Sequence, residues 1–87
     1  MSNSSCVTQL RAALEQALHP TLLEIRDDSA KHAGHAGARE GGHFHVIIAA
    51  AAFQGVSPVQ RHRMVYAAAA ELMGREIHAL SIDARPS

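Results

Sequence analysis

Ser57-Pro58-Val59-Gln60-Arg61-His62-Arg63-Met64-Val65-Tyr66 is the stretch that decides the fold, because it opens with a helix capping box. Ser57 is the N-cap, Pro58 takes the first helical position, where a missing N–H costs nothing, and Gln60 stands at N3, able to reach back. The alanine-rich continuation carries the predicted helix to Met73, and Gly74 supplies the left-handed residue that ends it. Past it, Ile77 to Ile82 reads as a strand and 83–87 as a tail. Just before it, His43 to Ile48 alternates, with Phe44, Val46 and Ile48 on one side and His43, His45 and Ile47 on the other. Ala49 to Ala52 is a weak strand former, so that strand should fade there. A helix lying between these two strands makes them a parallel pair with a right-handed crossover.

Further upstream, Ser29 to Gly42 has no apolar periodicity and carries Gly34, Gly37, Gly41 and Gly42, the composition of a flexible loop. Thr21 to Asp27 alternates again, with Thr21, Leu23 and Ile25 on one side, and gives another strand. Val7, Leu10, Leu14, Ala17 and Leu18 line one face of a first helix. It starts at Asn3, Ser4 or Ser5 and stops near His19, since Pro20 disfavours helical backbone in the residue before it. The order is helix, strand, strand, helix, strand. The expected fold is α+β, a single domain over 1–87 with a three-stranded mixed sheet covered by two helices on one face.

Composition limits what such a domain can do. At 87 residues it buries roughly 60–65% of the surface of its unfolded chain. Basic and acidic residues balance at 8 each, so no net field gathers phosphates. Phe44, Phe53 and Tyr66 are the only aromatics, too few for a base-stacking platform. A lone cysteine, Cys6, forms no internal disulfide and suits a reducing compartment, with the cytoplasm as the plain expectation. A mature organellar protein would read the same. The longest apolar run, Val46 to Phe53, falls far short of the roughly 20 residues of a spanning helix.

No nucleophile elbow, P-loop, H-E-x-x-H or C-x-x-C is present, and the adjacent Asp27 and Asp28 read as caps of a loop rather than an acid–base pair, so the chain is not expected to be an enzyme. Its histidines, 7 in all, are the unusual feature. His32 and His35 form an H-x-x-H in the loop, which by spacing alone is a weak metal signal set against plain solvated side chains. His43 and His45 belong to the open face of the sheet, where polar residues are ordinary. His62 joins Val65, Ala69 and Leu72 in one helical stripe and reads as a structural histidine at the core edge, its ring bonded to backbone. His78 stands at a strand start on the face of Leu80 and Ile82, with one ring nitrogen able to meet solvent and a partner.

Phe53-Gln54-Gly55, the Ser57 to Tyr66 stretch, and Ile77-His78-Ala79-Leu80-Ser81-Ile82 together resemble the BolA family, most closely its BolA1 branch. Leu23-Glu24-Ile25-Arg26-Asp27-Asp28-Ser29, His32 and His43-Phe44 fit the same pattern, so the resemblance runs from Leu10 to Pro86. It implies a class II KH-like fold. It also implies a monothiol glutaredoxin partner and a 2Fe–2S cluster shared with it, in cluster assembly, trafficking or iron and redox regulation. His78 is then the recurrent ligand, His32 the loop ligand, and His35 an additional candidate. Glutaredoxin and a glutathione thiolate would supply sulfur opposite this nitrogen. Ala49 to Ala51 depart from the family, where a serine and an acidic residue are common. Alone, the chain would be a monomer or a weak homodimer.

A second role attributed to BolA-like proteins is that of a DNA-binding transcriptional regulator, here using Arg61, Arg63 and the Phe53-Gln54-Gly55 turn. Zero net charge and a single lysine, Lys31, weigh against it. So does geometry, since Arg61 and Arg63 are about 200° apart around the helix. Gly34-His35-Ala36-Gly37 spells the G-x-x-G of a KH module but lies between strands rather than helices, an accidental match.

Overall fold

The computed structural model describes residues 3–28, 42–74 and 77–87, with the elements α1 (Asn3–Leu18), β1 (Leu22–Asp27), β2 (Gly42–Ala50), a 3-10 turn (Ala51–Phe53), α2 (Pro58–Ala68) and β3 (Ile77–Pro86). The sheet runs β1-β2-β3, with β1 antiparallel and β3 parallel to the central β2. This is the mixed α+β order expected from the sequence. The capping of α1 lies outside the described side chains. Its end is as expected: His19 takes a left-handed φ of 48° before Pro20, while its N–H still reaches the Glu15 carbonyl at 3.0 Å.

Alternation on β2 builds the core. Gly42, Phe44, Val46, Ile48 and Ala50 are all buried, and His43, His45, Ile47 and Ala49 on the other face are half-buried. Phe44 pairs with Leu80, Val46 with Ile82 and Ile48 with Ala84. Helix α1 covers this face with Cys6, Leu10, Leu14 and Leu18, a strict four-residue row. Such a row inclines to the helix axis, so Cys6 takes the buried end with the expected Val7 half-buried beside it against the core, and Ala17 turns out to solvent. Phe53, from the 3-10 turn, is fully buried beneath the sheet end.

Three sequence expectations are revised. Strand β2 runs two residues into the alanine stretch before giving way to the 3-10 turn at Ala51, because pairing outweighs alanine's weak propensity there: Ala49 pairs with Leu22 and Arg85, and Ala50 with Pro86. Residues 83–87 are no tail, since β3 continues to Pro86 with Ala84 facing inward, and the Ser87 N–H donates to the Ala50 carbonyl at 3.2 Å. Gln54 also donates its side-chain amide to the Ser87 carbonyl. Helix α2 starts as expected, with the Gln60 N–H donating to Ser57 Oγ at 3.3 Å, but stops at Ala68 rather than Met73. The chain then descends through turns, with Leu72 N–H bonded to Ala69 O at 2.9 Å and Ile77 N–H to Leu72 O at 3.0 Å. These turns bury Leu72 and set Met73 beside Ile77, and Gly74 takes the expected left-handed φ of 80°.

His62 is the fourth revision. Val65, Ala69 and Leu72 of its stripe are buried, but His62 is exposed, because the inward row at the start of α2 runs through half-buried Arg61 to Val65 and Ala69 and leaves His62 beside it on the solvent side. In the first turn Val59 is 62% exposed. The ring makes a single local bond, Nδ1 donating to the Pro58 carbonyl at 3.2 Å.

Two substitutions test this packing by urea denaturation. His62→Ala should stay within about 0.5 kcal/mol of the parent, as exposed sites do, and a loss of 2 kcal/mol would restore the core-edge reading. Gly42→Ala should lose about 1–3 kcal/mol, because a Cβ there would enter the buried ring of Phe44. A neutral result would show that the ring does not lie over Gly42.

Candidate metal site

Along β3 the buried positions are Ile77 and Leu80, three residues apart, where an unbroken strand would put two core residues an even number apart. The register shows how the chain accommodates this. Gly42 pairs with Ile77 but His43 pairs with Ala79, so His78 is an extra residue, a β-bulge. His78 therefore does not share the face of Leu80 and Ile82, as the sequence suggested; the bulge turns it to the open face, where it is exposed. There its ring lies beside that of His43, with centroids 5.2 Å apart and planes tilted by 49°. His43 was read from sequence as an ordinary open-face residue. The face was right, and the signal for the pairing was the three-residue spacing of Ile77 and Leu80.

The pair stands at one end of the sheet, where β1 finishes and β2 and β3 begin. Asp28, closing β1, donates its N–H to the His43 carbonyl at 2.7 Å. The segment joining Asp28 to Gly42 thus leaves and returns at this edge. His32 and His35, the loop ligand candidates, belong to that segment and lie outside the described residues. Among the described residues no group of three or more His, Cys, Asp or Glu side chains converges as a metal site. The structure therefore sets two imidazole rings side by side here, His78 exposed and His43 half-buried.

The arginines proposed for nucleic acid are unlike each other. Arg61 is half-buried and tied down, its Nε donating to the Val56 carbonyl at 2.8 Å and its Nη1 to the Ala84 carbonyl at 3.2 Å. Arg63 is exposed. Further along the open face, Arg85 grips Asp83 through Nη2–Oδ2 at 2.7 Å and Nε–Oδ1 at 3.2 Å. This hydrogen bonding holds the Asp83 carboxyl below its ordinary range, with the charges of Arg85 and His45 adding to it, and raises Arg85. Because the Asp83 value is depressed on folding, the pair stabilises above the ordinary carboxylate range and its effect disappears as pH falls through it. Solvent exposure keeps the contribution small. Among the described residues no helix is long and apolar enough to cross a membrane.

A family model for BolA-like proteins matches residues 14–87. Human BolA-like protein 1 is 47% identical over 76 residues, covering 87% of this chain and 54% of the human protein. The chain thus spans about half the length of the BolA-like protein 1 relatives it matches. The DNA-binding transcriptional regulator BolA of Escherichia coli (strain K12) is 34% identical over 74 residues, covering 85% of this chain and 69% of that protein. The solved BolA domain of SufE1 from Arabidopsis thaliana superposes with a TM-score of 0.79 at 43% identity, covering 91% of this chain and 88% of that one. With the family model running from Leu14 to the last residue and the fold superposing on a solved member, this protein belongs to the BolA family.

Proposed function

We propose that this protein works as the partner of a monothiol glutaredoxin, the two holding a 2Fe–2S cluster between them. The observation that carries the reading is the bulge that presents the His78 imidazole to solvent at the end of the sheet. An exposed imidazole on a braced strand is a suitable nitrogen donor to iron, and the partner with its glutathione would complete the sulfur half, as in centres of mixed cysteine and histidine ligation. His32, on the segment attached at that same edge, would be the second ligand, with His35 as the lesser alternative. The protein is then a carrier or sensor subunit rather than an enzyme, working in a reducing compartment, cytoplasmic or organellar.

The DNA-binding alternative draws on the name of the Escherichia coli relative. Here Arg61 would have to give up its bonds to two backbone carbonyls to reach a phosphate. Each such charged bond contributes about 1.5–3 kcal/mol, so giving up two of them offsets what a phosphate contact returns. Arg63 alone makes a weak anchor.

Mixing cluster-loaded monothiol glutaredoxin with the protein should change the visible absorption and circular dichroism of the cluster. His78→Ala should abolish the change while keeping stability within about 0.5 kcal/mol, because the side chain is exposed; an unchanged spectrum would rule His78 out. Ordering a glycine-rich loop costs about 1 kcal/mol or more per fixed residue, so a loop ligand should tune the site rather than create it. His32→Ala should therefore weaken the shared cluster and speed its transfer without preventing docking, and His35→Ala should matter less. If calorimetry shows both single variants binding like the parent and only the double variant failing, the two loop histidines are interchangeable. Titration with duplex DNA at rising salt decides the alternative: a steep salt slope supports it, and no measurable binding at low salt retires it.

A further inference from the structure

We propose that His43 and His78 together form a two-nitrogen site for one divalent transition-metal ion, of the copper(II) or zinc class, in the protein on its own. The separation of the rings is the first ground. An imidazole nitrogen lies about 2.0–2.1 Å from zinc, which puts the ring centre roughly 3.2 Å from the ion, and two such rings at a tetrahedral angle have centres about 5.2 Å apart. The observed separation of the His43 and His78 centroids is 5.2 Å. Their planes are tilted at 49°, so the rings are not stacked face to face, as two imidazoles bound to one tetrahedral ion need not be.

The second ground is how the two rings are held. His43 sits on the central strand, its carbonyl accepting from the Asp28 N–H at 2.7 Å on one side and its backbone paired to Ala79 on the other, while His78 is the bulged residue between Ile77 and Ala79. Both residues stand on strands of the sheet, and a site on such rigid elements loses little freedom when it closes. Access is the third ground, since His78 is exposed and His43 half-buried. With no larger cluster of ligating side chains among the described residues, water or a donor from a partner would fill the remaining positions. Two imidazoles with water favour copper(II) over zinc, in the general order of divalent affinities.

This site does not depend on the glutaredoxin reading, although it shares His78 with it. His43 separates the two, because only the divalent ion requires it.

The test uses the isolated full chain and the metals alone. Copper(II) chloride and zinc chloride are titrated by calorimetry, and imidazole nitrogen resonances are followed by NMR at one equivalent of zinc. One equivalent of metal should bind and shift the ring nitrogens of His43 and His78 in the unmodified protein. His43→Ala and His78→Ala should each weaken binding by about ten-fold or more, since each removes one arm of a chelate. His45→Ala and the His32→Ala/His35→Ala double variant should bind as the parent does. The NMR arm needs no substitution and so holds even where a variant is unstable. Zinc that leaves the ring nitrogens of His43 or His78 unmoved, or binding that vanishes with His32 and His35 and survives His43→Ala, overturns the site. A His43→Ala protein that loses divalent binding but still alters the glutaredoxin cluster spectrum supports both readings. Loss of the spectral response in His78→Ala alone concerns only the cluster.

Discussion

One extra residue in β3 sets the rest of the arrangement. Ile77 and Leu80 must both reach the core, yet they are three apart in a strand whose side chains alternate. Leaving either in water would forfeit about 1.5–3 kcal/mol of burial, whereas a bulge gives up one ladder bond worth about 1 kcal/mol net. Burial wins, and His78 is the residue pushed out. Bulges are uncommon in parallel pairs and tend to re-aim side chains near functional sites. Here the re-aimed side chain is the imidazole that meets His43.

The remainder of the fold keeps β3 where this bulge requires it. Helix α2 is bound to the strand by two long side chains: Tyr66 Oη donates to the Leu80 carbonyl at 2.9 Å and Arg61 Nη1 to the Ala84 carbonyl at 3.2 Å. The chain end is tied back through Ser87 to Ala50 and Gln54. Phe44, pressed against Gly42 on the inner face, braces the strand on whose outer face His43 stands. A charged residue such as Arg61 thus acts as a clasp between a helix start and a strand, which is why its presence in a basic-looking R-H-R run says little about DNA.

Much of this was legible in the sequence. Period-two patterning on 43–48 and 21–27, the Ser57 capping box and the glycine at 74 gave the element order, the sheet topology and the inward faces correctly, because each rests on a local rule that packing here does not override. What was misread depended on long-range context. Ala49 is strand because it pairs with both neighbours and Ala50 because it pairs with Pro86; residues 83–86 are strand because β2 is long enough to receive them. His62 stands beside the inward row of α2, whose first half-buried position is Arg61, held to β3 through the Ala84 carbonyl. The candidate site was half visible: His78 was found through family resemblance, but its partner His43 emerges only when the three-residue step from Ile77 to Leu80 is taken as a bulge rather than smoothed into a regular strand.

The bulge places the two imidazoles side by side on the open face, and proton NMR of the metal-free protein measures this without any substitution. Nuclear Overhauser contacts are expected between the ring protons of His43 and His78, with none from the His78 ring to the methyl groups of Leu80 or Ile82. Contacts from His78 to those methyl groups, and none to His43, would mean that β3 is a regular strand and that the pair does not exist.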